Sequence, residues 1–407
     1  MLTFPKGFFW GAATSSHQVE GNNTNNDWWE AETKGSIKTP SLQACRSYEL
    51  FREDFDIAKS LNHNSHRFSI EWSRVEPEEG KFSESEIAHY RQVISSLKEC
   101  GIEPIVTLHH FTNPLWFSAK GGWLKPGNIK YFTRFTERIA GEFAGEVRFW
   151  ATINEPNIYA HHCYLIAAWP PHKSSLWQAL IVKDNLIKAH IQAYRAIHRI
   201  YQEKKLTTPM VSIAHNVQCF EICRPTLRNK LARYIRDRLY NFYFLNKLFA
   251  AKSLDYIGLN YYNRGLIDVL GWTPYNLVAD VCRENHFPLK KNSLGWDIYP
   301  EGLYKLLVRL YKKFKLPLFI LENGICTSDD NLRWEYISGH LEAVHRAISE
   351  GAEILGYTYW SLLDNFEWAE GFTPRFGLVE VDYKSFKRTV RESARKFSEV
   401  AKTNILC

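Results

Sequence analysis

The strongest constraint on this chain is an alternation that runs from end to end. Eight segments read as strands: "FFWGAAT" from Phe8, "HRFSIEW" from His66, "EPIVTLHH" from Glu103, "VRFWATINEP" from Val147, "MVSIAHNV" from Met210, "LDYIGLNYY" from Leu254, "LPLFILENG" from Leu316 and "ILGYTYWSLL" from Ile354. Helical patterns lie between them. "SESEIAHYRQVISSLKECG" opens on a Ser–Glu cap and stops at Gly101. "DNLIKAHIQAYRAIHRIYQEK" puts Leu186, Ile187, Ile191, Tyr194, Ile197 and Tyr201 on one face, and "EYISGHLEAVHRAISEG" ends at Gly351. Short, nearly continuous apolar strands alternating with helices belong to a parallel sheet covered by those helices. Eight such units in 407 residues predict a (β/α)8 barrel, an α/β fold, as one domain over residues 1–407. A doubly wound open sheet is the rival, but neither a GxGxxG nor a GxxxxGK[ST] phosphate loop occurs.

A barrel of this kind carries its chemistry at the C-terminal ends of its strands. Those ends here are His109-His110, Asn154-Glu155, Tyr261-Tyr262, Glu322-Asn323 and Trp360. Arg67 falls inside the second strand, where a charge is costly unless paired. Glu155 ends the fourth strand and Glu322 the seventh, so both can lean toward the centre of the mouth. Two carboxylates about 5 Å apart suffice for retaining glycoside hydrolysis. One attacks the anomeric carbon; the other protonates the leaving oxygen and then activates water. A lone strand-end Glu more often caps a loop or pairs with a cation. Two of them, each beside Asn, in a chain with 14 Trp to stack on sugar faces, favour the catalytic reading.

Charge is less informative. The formal balance is +7, mild for this size, and basic residues are scattered except in "RPTLRNKLARYIRDRLY", Arg224 to Tyr240. Leu227, Leu231, Ile235 and Leu239 recur there every four residues with Arg and Lys between them. That predicts an amphipathic surface helix with a basic outer face. A membrane-surface or polyanion contact is the alternative. No nucleic-acid and no membrane partner is expected. The eight Cys form no CxxC pair, and several sit in apolar runs, which predicts reduced, packed thiols in a cytoplasmic protein. "MLTFPKGFFWGAATSS" has too short an apolar run for a secretory leader, and the sequon at Asn22 has no meaning without secretion.

Several motifs in order resemble glycoside hydrolase family 1 β-glycosidases over nearly the whole chain. "FFWGAATSSHQVEG" resembles the family's N-terminal signature, "TINEP" its acid/base motif and "FILENG" its nucleophile motif. "GLNYY", "YWSLLDNFEWAEGF" and "RFGLVEVDY" resemble its later segments. "NEP" alone is weak; the ordered set is specific. The resemblance implies a cofactor-free, metal-free hydrolase with Glu155 as acid/base and Glu322 as nucleophile. Arg67 and Tyr262 are implied to hold Glu322, Arg67 keeping it ionised. Gln18, His110, Asn154 and Glu367 match hydroxyl-binding residues, Trp360 the platform under the ring and Trp368 a hydroxyl-binding indole. Trp123 in "GGWL" and Trp296 in "LGWDIYPEG" are expected to line the cleft, Trp296 toward the aglycone. The expected partner is a small β-glycoside or oligosaccharide, with glucose the favoured glycone.

The chain departs from the family in being short, mainly between Asn157 and Asp255, near the expected aglycone entrance. Variant activities are weighed by single residues. Glu155 argues against a thioglucosidase, Glu367 and Trp368 against a 6-phosphoglycosidase, and both Glu together against a receptor-like member. A metal hydrolase using His109, His110, His161 and His162 lacks a ligand-spacing motif. A noncatalytic sugar-binding protein is the remaining alternative.

Overall fold

The computed structural model describes residues 1–273, 277–278, 281–282 and 289–407. Eight parallel strands form a closed barrel: β1 (Phe9–Ala13), β2 (Ser65–Ser69), β3 (Glu103–His109), β4 (Phe149–Asn154), β5 (Met210–Ile222), β6 (Ile257–Ile267), β7 (Leu318–Asn323) and β8 (Ile354–Trp360). The order is sequential, and β8 closes on β1. Around them run α1 (Ser47–Ser60), α2 (Glu84–Glu99), α3 (Ile129–Phe143), α4 (Leu176–Glu203), α5 (Leu227–Asp237), α6 (Tyr243–Ala250), α7 (Pro300–Phe314), α8 (Asp330–Ser349) and α9 (Glu392–Thr403). The cap at the head of α2 is real: the Ser83 hydroxyl accepts the Glu86 N–H at 3.3 Å. Leu2–Thr3 pairs with Ile405–Leu406, tying the two ends of the chain together.

Two apolar layers explain why the strands read as unbroken hydrophobic runs. Ile105, Phe149, Ala151, Ala214, Tyr256, Phe319 and Leu321 fill the barrel interior. Val106, Trp150, Ile257, Leu318 and Ile320 face outward and merge with helix residues such as Leu97, Phe143, Leu307 and Leu341. Burial on both faces leaves no polar side to alternate with.

The pairing register shifts near the tips of β4 and β7 and partway along β6. On β4 the register shifts between Ala151 and Asn154, and on β7 between Ile320 and Asn323. Phe319 and Leu321 point into the barrel, so strict alternation would send Glu322 out to the helices. The shift turns it toward the mouth instead, as bulges do beside functional sites. β5 and β6 are the longest barrel strands, at 13 and 11 residues. They stay paired from Cys219–Arg264 to Ile222–Ile267, beyond the rest of the barrel.

Two expectations fail. The helix read from Arg224 to Tyr240 forms as α5, but its apolar stripe faces outward. Of the predicted stripe, Leu227, Leu231 and Leu239 are exposed and Ile235 is half-buried; Tyr234 is exposed as well, while Asn229, Ala232 and Arg236 are buried. The buried face packs on the β5–β6 extension, where Ala232 joins Ile267 and Val269. Asn229 gives both ends of its amide to that packing: its Nδ2 donates to Asp268 and its Oδ1 accepts from Val269 N–H. The thiol reading also fails for one pair. Cys223 and Cys282, 59 residues apart, form a disulfide that ties the segment after β6 to the end of β5. The other six are free, so the thiol argument for a cytoplasmic location does not stand. Among the described residues no helix is long and apolar enough to cross a membrane.

Candidate active site

Glu322 is reached by a buried cation and a phenol, one on each oxygen. Arg67 donates from Nη1 to Oε1, and the Tyr262 hydroxyl donates to Oε2 at 2.6 Å. Arg67 is itself fixed: its Nε donates to Thr107 Oγ1 at 3.0 Å and its Nη2 to Asn154 Oδ1 at 2.7 Å. Glu155 meets only neutral amides. Asn216 Nδ2 donates to its Oε1 at 2.7 Å and Asn260 Nδ2 to the same oxygen at 2.9 Å. Glu155 also holds its backbone at φ 41° and ψ 58°, left-handed for a non-glycine residue, where β4 turns into the helix Pro156–Tyr164. Such a conformation costs about 1–3 kcal/mol and persists where surrounding contacts fix it.

The two carboxyls are coupled. Burial raises the Glu155 pKa to about 8, with the charge of Glu322 adding to the rise and Asn216 and Asn260 opposing it. Burial also raises Glu322 above the ordinary carboxylate value, against the pull of Arg67, Tyr262 and Asn260. The expectation that Arg67 holds Glu322 ionised therefore meets a competing desolvation cost. Glu367 is pushed up to about 8 by burial and by both neighbouring carboxylates.

The other predicted residues converge, with one exception. Asn154 donates from Nδ2 to His110 Nε2 at 3.1 Å, since its Oδ1 is taken by Arg67. His110 Nε2 is then the acceptor, and its Nδ1 has no partner among the described residues. The His110 ring lies nearly parallel to Trp360 and Trp368, with centroids 6.0 and 6.1 Å away. Gln18 Nε2 donates to the Phe366 carbonyl at 2.8 Å and to Glu367 Oε2 at 3.3 Å. Trp296 is half-buried beside Tyr262, 5.9 Å between centroids. Trp123 lies elsewhere. It is buried among Trp72, Phe117 and Phe132, and its indole N–H donates to Asn113 at 2.8 Å. Core packing, not the cleft, accounts for it. His109 is likewise bonded to Asn113. Among the described residues no three His, Cys, Asp or Glu side chains are grouped to hold a metal.

Comparison with known proteins decides the family. The Glycosyl hydrolase family 1 sequence model matches residues 1–250 and 221–406. The chain belongs to glycosyl hydrolase family 1. Beta-glucosidase A of Thermotoga maritima is 31% identical over 98% of both chains. A beta-galactosidase of Sulfolobus acidocaldarius is 29% identical over 99% of this chain and 96% of its own. Among solved structures, a beta-glycosidase from Pyrococcus horikoshii superposes with a TM-score of 0.91 at 41% identity, covering 99% of this chain and 96% of that one. The chain is thus an O-glycosyl hydrolase that hydrolyses β-glycosides.

Some residues that ring the enzyme's two carboxyls carried no earlier assignment. Asn260 lies inside "GLNYY", and Asn216 is the last polar residue of "MVSIAHNV", one before its end. Either was available to the same strand-end argument. Tyr240, whose hydroxyl donates to Asn216 Oδ1 at 2.6 Å, had no such signal; it sits in a π-helical turn, Arg238–Phe242, after α5. Asn323 has a different task from Glu322. Its Nδ2 donates to the Tyr261 carbonyl and Tyr336 hydroxyl, and its Oδ1 accepts from Tyr357. It locks the tip of the strand that carries Glu322.

Proposed function

We propose that this enzyme is a retaining, exo-acting β-glycosidase that removes terminal non-reducing β-D-glycosyl residues by double displacement. Glu322 is the nucleophile and Glu155 the acid/base. Glucose is the favoured glycone, with galactose and fucose as alternatives. The observation that supports this division most is the asymmetry of the pair. Glu322 has a guanidinium and a phenol on its oxygens, which stabilise its charge. Glu155 has only amides, and its pKa near 8 keeps a proton available at neutral pH. Once Glu322 carries the sugar its charge is gone, so the Glu155 pKa falls and the same group can take a proton from water. Arg67 and Tyr262 orient the nucleophile. Gln18, His110, Asn154, Glu367 and Trp368 bind hydroxyls, Trp360 supports the ring, and Trp296 borders the aglycone.

The test is chemical rescue. Glu322→Ala should abolish turnover of an aryl β-glucoside, and azide should restore it with an α-glycosyl azide as product. An unchanged rate in that variant overturns the assignment. Glu155→Ala should spare substrates with good leaving groups far more than poor ones. A panel of aryl β-glycosides, then oligosaccharides, fixes the glycone and chain length.

A further inference from the structure

We propose that the outward face of α5 docks the enzyme peripherally on an anionic lipid surface. On this helix Leu227, Leu231 and Tyr234 recur at i, i+4 and i+7 and are 69%, 42% and 58% exposed. Trp272, 61% exposed, lies beside them, stacked under the Arg228 guanidinium. The opposite face, Asn229, Ala232 and Arg236, is the one buried against the barrel extension. A surface helix of a water-soluble fold normally arranges these faces the other way round. Arg228 and Lys230 flank the stripe on its two sides, and Arg233 and Arg238 continue the basic character, all but the half-buried Arg228 exposed. Among the described residues, Asp237 beside the stripe is paired with Arg309 at 2.6 Å and Asp268 with Arg224 at 2.7 Å.

An exposed Leu/Tyr/Trp stripe between cations is the pattern of a helix that lies in a bilayer interface. The cations meet lipid phosphates while the stripe enters the acyl boundary. A second copy of the chain fits less well, because a two-fold contact would press one basic rim against another. A polyanion would use the cations and leave the stripe in water. α5 rides on the β5–β6 extension, so the docked face belongs to the mouth end of the barrel. No membrane partner was expected from the sequence; the contact proposed here is peripheral, not spanning.

The experiment is flotation of the full chain with vesicles of phosphatidylglycerol or of phosphatidylcholine, at low and high salt. The wild type should float with the anionic vesicles, with high salt weakening the binding. Leu227→Gln/Leu231→Gln/Tyr234→Ser should weaken that partition about tenfold or more, and Lys230→Glu/Arg233→Glu should also weaken it. Unchanged turnover of an aryl β-glycoside by both variants shows that they are folded. The proposal is overturned if the wild type fails to bind anionic vesicles, or if binding survives loss of the stripe. It is equally overturned if the stripe variant instead dissociates a dimer seen by sedimentation.

Discussion

Arg67 and Glu322, 255 residues apart in the chain, form an ion pair with side chains only 1% and 4% exposed. Breaking such a pair from one side costs about 3–5 kcal/mol, because the remaining charge is left buried and alone. Arg67→Met should therefore lower both kcat/KM and Tm. The Tm loss should be largest at high pH, where Glu322 is ionised, and should shrink in acid, where a protonated carboxyl needs no cation. Thermal melts of wild type and variant across pH check this; a loss independent of pH would mean that only packing was removed.

Tyr262→Phe deletes one hydrogen bond to the charged form of Glu322. Bonds to charged groups contribute about 1.5–3 kcal/mol, so kcat/KM should fall roughly tenfold to a hundredfold. Because the lost bond favoured ionisation, the Glu322 pKa rises and the acid limb of the kcat/KM profile should move to higher pH.

The alkaline limb reports Glu155. Its carboxyl must be protonated to act as acid, so activity should decline as pH rises through about 8. Asn216 donates to the ionised form, and the Tyr240 hydroxyl fixes the Asn216 amide in that orientation. Asn216→Ala should shift the alkaline limb upward, and Tyr240→Phe should shift it the same way by less. Limbs that do not move would show that these residues do not set the titration of Glu155.

Much of this site was legible in the sequence because barrel strands are rigid and their tips converge. Given eight strands, the tips that carry Glu155 and Glu322 and the strand that carries Arg67 converge on one mouth. What was not legible depends on tertiary contacts. The turn of Glu322 toward the mouth comes from a register shift that no period-2 pattern encodes. The facing of α5 is set by what its polar residues can bond to: Asn229 accepts from Val269 N–H just past β6, and Arg236 donates to the Leu277 carbonyl, so periodicity alone chose the wrong side. Trp123 illustrates the same limit: a Trp beside glycines fits a cleft or a core equally well, and Asn113 decided it. The Cys223–Cys282 pair needed the extension of β5 and β6 to bring distant thiols together.

That disulfide closes a loop of 59 residues, a length for which a cross-link contributes about 2–4 kcal/mol by restricting the unfolded chain. A reductant should lower Tm, and Cys223→Ser should lower it to the same value and make it insensitive to reductant. Free-thiol titration of the unfolded, unreduced chain should give six groups.

Gly324 follows Glu322 and Asn323 where β7 passes β8. A Cβ built there would lie 1.8 Å from the Trp360 carbonyl oxygen, a backbone atom that cannot swing away. Gly324→Ala must therefore push the tips of β7 and β8 apart. Forced overpacking of this kind costs about 1–3 kcal/mol or more in stability. The larger effect should be on turnover, because the same displacement moves Glu322 relative to Trp360. Kinetics and melts on one preparation separate the two: kcat should collapse while the folded fraction at assay temperature stays high.

Glu155 and Glu367 both sit near pKa 8, well above the ordinary value of 4.5. In that window the folded state binds more protons than the unfolded chain, so stability falls as pH rises. The contribution is fully present below about 4.5 and lost above about 8. Replacing either group by its neutral amide removes the penalty for ionising a buried carboxyl. Glu367→Gln, which keeps an oxygen for Gln18, should therefore melt above wild type at pH 9 and lose that advantage near pH 5. Its turnover should fall if this carboxylate binds the sugar. A site built for catalysis would then show its cost directly, as stability gained when a working residue is taken away. A variant no more stable than wild type at pH 9 would mean that Glu367 titrates near its ordinary value despite its burial.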